Sequence, residues 1–567
     1  MTNDAPRSAA VPGNARISRL AFGLLWALAL AALYAGSATV ALKEPDEGRN
    51  AEVAREMIER GDFIVPHLNG MPYLDKPVFF FASAAAAIAA LGPTEFAARF
   101  PSLFFTLATV LLLGALARSR FDTDTALLAG LMLATSPLAL AFSRIVIFDS
   151  VMMFWVSASC IAFHLGWTRD SRLWPVLGWA AAGFAVLTKG PVGLVLPLLI
   201  GIAEAFACGH RLRRMFHPVG LLVFVLVVAP WFFAVTARQP EFPHYAFVRE
   251  TFERVATDRM NRTAGVHYIP AWLVGGSLPW VVLLLAGWRP LRTYWAGRKD
   301  RARTEVFLLL WILVPLVFFT LSQSKRPGYI LVSIPAVALL STRILRDAPR
   351  LIRPALWTAG SVASILGAIL LFGSGEIAQR VHGDAIAEAV RSTGPVAGLA
   401  LLLAAAIAFY GLRDARFGIP GLAAIPAALV LGLQGVLGVI GDSRSARDVA
   451  RAIAARGPGD AIVVAVGTYP ASLSYYLRRT VLVTTDDGKA IRSNYIEEYQ
   501  ADLRRQAGST LRPADWWRGQ VATCPQPTVF VVDSRNTEAV GELSARLPVI
   551  HDAGRYAAYG PCAPASR

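Results

Sequence analysis

Apolar runs long enough to cross a bilayer recur through the first 440 residues of this 567-residue chain, and no other feature constrains its fold as much. A hydrocarbon core about 30 Å thick takes about 20 largely apolar helical residues, since every backbone polar group must be satisfied within the segment. The clearest runs lie at about 20–42, 102–117, 126–141, 151–166, 173–188, 191–207, 219–236, 271–288, 305–322, 328–344, 355–373, 395–412 and 419–440, which predicts thirteen spans. Several hold only about sixteen strongly apolar residues, so flanking residues must complete the crossing. The first run is too long for the core of a cleaved signal peptide, and no small-residue cleavage site leads from it into a soluble domain.

Charge sets the expected orientation. The chain carries 55 Lys and Arg against 39 Asp and Glu, a formal net charge of +16. In a soluble protein that excess would suggest nucleic acid. With 55% hydrophobic and 17% charged residues, it reports membrane topology instead. The N-terminal tail and alternate loops hold a net +15, with Arg7, Arg16, Arg19, Arg118, Arg120, Arg169, Arg172, Arg211, Arg213, Arg214, a cluster over 289–303, Arg343, Arg346, Arg350, Arg353, Arg413 and Arg416. These loops are predicted to be cytoplasmic, next to anionic lipid.

One apolar stretch, 78–92, must be left out for this pattern to hold. It is bounded by Pro77 and by Gly92-Pro93, and is read as an in-plane or re-entrant helix within a periplasmic loop over 43–101. A short true span is the alternative. Residues 442–567 then lie outside, with a net charge of only +3. Apolar β-rich runs at 461–466, 480–484 and 528–532 alternate there with helix-like segments at 445–456 and 495–505. The expected fold is an α-helical polytopic membrane domain over 1–441, followed by a small α/β periplasmic domain over 442–567. Cys160 and Cys208 fall in or beside spans and read as apolar packing, while an oxidising periplasm would permit Cys524 and Cys562 to pair. No Cys/His spacing suggests zinc.

Polar chemistry gathers in the predicted external loops. The first holds Asp46 and Glu47 at the outer end of a span, then Tyr73 and Lys76 before the stretch at 78. The bland reading is helix capping, because carboxylates suit the first turn of a helix. Asp149 stands where an apolar run begins, costly unless paired or watered; Arg144 is one candidate partner, and a capped helix start is the alternative. The loop 238–270 carries Arg259, Arg262 and His267. Lys325-Arg326-Pro327-Gly328-Tyr329 keeps cations on the outer face, against the trend, and so points to an anion such as phosphate. Lys189-Gly190-Pro191 marks a weaker outer turn. A transporter would place polar groups near mid-membrane, and few are found there; Glu204, the main candidate within a span, lies near its cytoplasmic end.

These residues resemble, in order, the bacterial branch of the protein O-mannosyltransferase superfamily, and particularly its ArnT-type aminoarabinose transferases. The resemblance rests on Pro45-Asp46-Glu47 through Ala51-Glu52, the run from Gly61 to Leu68, Lys76-Pro77, Arg144 with Asp149, Thr188-Lys189-Gly190, Ser277-Leu278-Pro279-Trp280 and the run from Lys325 to Leu331. It covers most of 40–345; residues 346–567 match only in layout. It implies a GT-C fold, and inverting transfer of a sugar from undecaprenyl phosphate to lipid A or another envelope glycoconjugate. On that resemblance Asp46 is the principal catalytic residue, with Glu47 and Asp149 beside it. Tyr73, Lys76, Tyr329, Lys325 and Arg259 or Arg262 hold the carrier phosphate. Arg144 and His267 line the cavity. The loop 238–270 departs from the ArnT pattern at Tyr268-Ile269-Pro270-Ala271-Trp272, which leaves sugar and acceptor open.

Nearby cations would stabilise the departing phosphate. Asp46 serves as general base if the acceptor is a hydroxyl. If the acceptor is a phosphate, it orients the acceptor or binds an amino group on the sugar. A nucleophilic role is disfavoured, because a covalent intermediate gives retention. No cofactor is required by these residues, although Asp46, Glu47 and His267 could take a divalent cation adventitiously. Transfer to Ser/Thr of secreted proteins, and lipid or solute transport, stand as the alternatives. The expected location is the bacterial inner membrane, with the N-terminus cytoplasmic.

Overall fold

The structure is a computed structural model and describes residues 19–169, 171–246, 249, 264–299, 304–457, 459 and 461–562. Among these, eight helical segments are long and apolar enough to cross a bilayer, and five shorter apolar helices accompany them. In chain order the elements that matter here are α1 (Arg19–Tyr34), α2 (Asp46–Arg60), α3 (Phe79–Leu91), α4 (Glu95–Arg120), α5 (Thr123–Ala134), α6 (Pro137–Phe142), α7 (Asp149–Thr168), α8 (Leu173–Lys189), α9 (Val192–Cys208) and α10 (Pro218–Arg238). They continue as α11 (Tyr268–Gly276), α12 (Val281–Ala286), α13 (Thr304–Leu321), α14 (Ile334–Asp347), α15 (Ile352–Arg380), α16 (Asp384–Tyr410), α17 (Gly418–Gly432) and α18 (Gln434–Ser443).

All thirteen expected runs contain helix, but the first is helical only to Tyr34 and 328–344 opens as a 3-10 helix over Pro327–Ser333 before α14. Three others are broken. The run at 126–141 divides into α5 and α6, 271–288 into α11 and α12 around Ser277-Leu278-Pro279-Trp280, and 419–440 into α17 and α18. Pro137 and Pro279 each withhold an N–H from a helical ladder, which accounts for two of the breaks. Helix α3 starts two residues after Pro77 and ends at Leu91, three residues before Thr94; Thr94 and Glu95 bond Tyr475 and Tyr476 of the C-terminal segment.

The opposite end of the bundle is tied by its own polar contacts. His164 bonds Glu204 at 2.5 Å and Thr304 at 3.1 Å, and Arg346 pairs with Asp122 at 3.0 Å. Glu204, fully buried, is therefore part of a local helix clamp joining α7, α9 and the start of α13.

The C-terminal segment builds a six-stranded sheet in the order β5 (Leu511–Arg512), β4 (Leu482–Thr484), β3 (Ile462–Val466), β6 (Thr528–Asp533), β8 (Tyr556–Cys562), β7 (Val549–His551). The first four of these strands run parallel to one another, and β8 runs antiparallel to both β6 and β7. The central strands are continuously apolar because helices cover both faces. Cys524 and Cys562 form a disulfide, while Cys160 and Cys208 are buried free thiols.

The loop after α1 and this sheet share one apolar core. Val53, Ala54 and Met57 of α2 pack in the same cluster as Ile453, Leu473 and Val483. The short hairpin β1 (His67–Leu68) and β2 (Met71–Pro72) turns through Asn69-Gly70, and the Asn69 side chain bonds both the N–H and the C=O of Val481. Glu44 accepts from the Ser472 N–H at 2.6 Å, and burial pushes its carboxyl up to about 7. The first loop is therefore held between the bundle and the sheet.

Candidate active site

Two antiparallel helices bring the first pair of site residues together. Asp149 is the first residue of α7 and Lys189 the last of α8. A carboxylate suits a helix N-terminus and an ammonium a helix C-terminus, so each is favoured where it stands. They meet at 2.5 Å, and the Asp149 side chain is almost fully buried. Gly190 follows at φ +83, a left-handed turn that only glycine adopts freely, and it redirects the chain into α9. Lys189 Nζ also lies 4.9 Å from the ring centre of Tyr329, which packs at a tilt against Phe319 with ring centres 5.0 Å apart. Gly328 makes that approach possible, since a Cβ there would stand 2.6 Å from Asp149 Oδ1.

Asp46 opens α2 one residue after Pro45. It accepts from Arg49 Nη2 at 2.6 Å and faces Arg326 at 3.8 Å, with its side chain 38% exposed. Tyr73 is buried and carries the Arg49 guanidinium 5.9 Å over its ring. The carboxylate of the next acidic residue along, Asp75, accepts from the Tyr245 hydroxyl at 2.7 Å and from the backbone N–H groups of Asn494 and Tyr495. That fixes the backbone beside Lys76, whose ammonium donates to the Asp75 carbonyl.

These residues surround two adjoining cavities. One, open to solvent and about 1100 Å³ in all, is mostly apolar, with Val192, Val195, Leu196, Phe318 and Phe319 among its walls. The other, likewise open and about 950 Å³, is the more polar of the two and is lined by Asp46, Arg49, Tyr73, Asp149, Arg326 and Arg492, among others. Asp75, Lys76, Lys189, Gly328 and Tyr329 line both. The boundary between an apolar and a polar chamber thus carries two ammonium groups and a phenol.

Of the sequence-predicted residues, Asp46, Tyr73, Lys76, Asp149 and Tyr329 converge there. Glu47 does not. It is buried away from both chambers, accepting from Arg99 at 2.8 and 3.1 Å and from the Val146 N–H. Burial opposes its ionisation, but the Arg99 guanidinium overrides this and holds the carboxyl below its ordinary range. Arg144 is not the partner of Asp149. It donates to the carbonyl of Leu140 at 2.9 Å and to that of Ala35 at 3.3 Å, because the turn after α6 aims it at the end of α1. Lys325 turns back to the Ser322 carbonyl at 2.7 Å and lines neither chamber, so its neighbour Arg326 supplies the cation. His267 is exposed and lines neither chamber. Arg259 and Arg262 lie outside the described residues.

Sequence reasoning gave Lys189 too little weight and missed Arg49, Asp75, Arg492 and Asn494. A basic residue closing an apolar helix, with an acidic one opening the helix before it, was the available signal for Lys189. Arg492 and Asn494 carried none, since only the docking of the C-terminal segment brings them in. Among the described residues, no three His, Cys, Asp or Glu side chains gather as a metal site.

Residues 75–233 match the family described as dolichyl-phosphate-mannose-protein mannosyltransferase, a stretch containing Lys76, Asp149 and Lys189. A curated relative from Serratia proteamaculans, an undecaprenyl phosphate-alpha-4-amino-4-deoxy-L-arabinose arabinosyl transferase, is 31% identical over 63% of this chain and 66% of its own length. The protein of the same description from Pectobacterium atrosepticum is 36% identical over 53% of this chain and 54% of its own length. These matches therefore span less than two thirds of the relatives. The crystal structure of ArnT from Cupriavidus metallidurans bound to undecaprenyl phosphate superposes with a TM-score of 0.83 at 26% identity, covering 96% of this chain and 99% of that one.

Proposed function

We propose that the chain is an ArnT-like member of the bacterial protein O-mannosyltransferase superfamily of GT-C glycosyltransferases, and that it moves a sugar from undecaprenyl phosphate to a phosphate of lipid A. The proposed sugar is 4-amino-4-deoxy-L-arabinose, as in the names of the relatives. The observation that carries this is the junction of the two chambers. A polyprenyl phosphate has a long apolar tail, one anionic group and a polar sugar beyond it. The apolar chamber suits the tail, the polar chamber suits the sugar, and Lys76, Lys189 and Tyr329 stand where the phosphate would lie.

Transfer makes a bond from the acceptor oxygen to the anomeric carbon as the carbon–oxygen bond to the carrier phosphate breaks, with inversion. The electron pair leaves with the phosphate, and Lys76 and Lys189 stabilise that charge. Asp46 and Asp149 each already have a cationic partner. Neither is placed as an unengaged general base, which favours an acceptor that is already ionised over a Ser/Thr hydroxyl. Asp46 then orients the sugar and acceptor from the polar chamber. The transporter alternative is less favoured: Glu204 and His164, the buried ionisable pair within the bundle, bond each other and line neither chamber.

We place the boundary between the membrane-embedded and C-terminal units at 441/442, with the latter and the first loop in the periplasm and α3 not crossing. The basic loops then face the cytoplasm of a bacterial inner membrane. The test is reconstitution. Purified protein supplied with the undecaprenyl-phosphate-linked aminosugar should raise the mass of lipid A by one sugar residue. A mass unchanged under conditions where the protein binds undecaprenyl phosphate would refute the acceptor.

A further inference from the structure

The polar chamber is closed on one side by the C-terminal unit. Its turn through Arg492, Ser493 and Asn494 brings Arg492 and Asn494 to the wall that also carries Asp46, Arg49 and Arg326. Three contacts hold that turn. Arg49 Nη1 donates to the Arg492 carbonyl at 2.8 Å, and Asp75 accepts from the N–H groups of Asn494 at 3.2 Å and Tyr495 at 2.8 Å. The Ser493 hydroxyl caps the helix Asn494–Glu498 by accepting from the Ile496 N–H. Arg492 itself stands at φ +57, a left-handed conformation kept at a non-glycine residue only where the surroundings fix it.

The ion pairs of the chamber engage Asp149 and Asp46. Lys189 is paired with Asp149, and Arg49 and Arg326 share Asp46. Among the described residues, no carboxylate takes the exposed guanidinium of Arg492. It lines the polar chamber and not the apolar one, on the side away from the carrier tail. A planar fork of donors left unmatched beside the catalytic carboxylate suits bidentate contact with an oxyanion.

We propose that Arg492 is the residue of the C-terminal unit that recognises the acceptor, by binding a phosphate group on it. This rests on the transfer reaction proposed above, with the carrier phosphate held separately at Lys76 and Lys189. The C-terminal unit is then part of the site, and the strained turn serves to present one side chain.

Arg492→Gly tests this without disturbing the turn, because glycine adopts the left-handed conformation readily. Steady-state transfer is measured with the undecaprenyl-phosphate-linked aminosugar as donor and diphosphoryl lipid A as acceptor, alongside the melting temperature. The acceptor KM should rise about tenfold or more while donor KM and kcat stay within about twofold, with Arg492→Lys restoring part of the loss. An acceptor KM less than about fivefold changed, or a rise in donor KM instead, overturns the assignment. Absence of transfer by the unsubstituted protein in the same assay overturns the proposed reaction, and this inference with it.

Discussion

Asp46 and Glu47 are neighbours in the first turn of one helix, yet they belong to different parts of the molecule. Successive helical residues point about 100° apart. That rotation sends Asp46 into the polar chamber, between Arg49 and Arg326, and Glu47 into the protein, onto Arg99. The Asp46 side chain is 38% exposed and Glu47's 5%. Arg99 gives its remaining donors to the carbonyls of Ser37, Val40 and Ala41 in the segment that follows α1, so the Glu47 pair ties three segments together. Both carboxylates face arginine, but one set is sealed and complete while the other opens onto space for a ligand. Charge becomes chemistry where the matching is left unfinished beside a cavity.

The comparison can be broken by removing either carboxylate. Glu47→Gln leaves Arg99 buried and uncompensated, and should cost about 3–5 kcal/mol of stability, read as a lower melting temperature and a smaller monodisperse fraction in detergent. Asp46→Asn should leave the melting temperature unchanged and reduce transfer by about a hundredfold or more. Equal loss of fold in both variants would erase the distinction. Lys76→Ala and Lys189→Ala should weaken undecaprenyl phosphate binding by about tenfold or more each, with Lys189→Ala also leaving Asp149 unpaired.

Glu44 offers a subtler test of how the sheet grips this loop. Burial raises its carboxyl from an ordinary 4.5 to about 7. The folded state therefore holds the proton at a pH where the unfolded chain has lost it, so stability falls as pH rises from about 4.5 to about 7 and is level above. The buried carboxyls of Glu52 and Glu56 are raised too and act in the same direction. Glu44→Gln should flatten part of that slope in melting temperatures measured across this window, and an unaltered slope would show that Glu44 does not contribute. The smallest effects belong to Lys325→Ala and His267→Ala, whose transfer rates should stay within about twofold of the parent because neither side chain lines a chamber.

Much of the architecture was legible in the sequence because the bilayer allows few solutions. Apolar length and the alternation of basic loops mark the helices, and strand-like runs after residue 442 mark the sheet. The site was legible where motif and position coincide, as at Asp46, Lys76, Asp149 and Tyr329. It was not legible where neighbouring residues of one kind differ only in direction. Lys325 and Arg326 are chemically alike, and the turn before Pro327 decides which one faces Asp46. Arg144 and Lys189 were both available to Asp149, and the antiparallel packing of α7 and α8 selects Lys189. Arg492 comes from a separate fold more than 400 residues along the chain from Arg49, and its role depends wholly on docking.

An experimental structure of this protein with undecaprenyl phosphate would show whether the carrier phosphate sits at the junction of the two chambers. Phosphate density is expected within hydrogen-bonding distance, about 3 Å, of the ammonium groups of Lys76 and Lys189, with the polyprenyl chain along Val192, Val195 and Phe318. Phosphate density away from both lysines, or a lipid chain that avoids the apolar chamber, would contradict that placement.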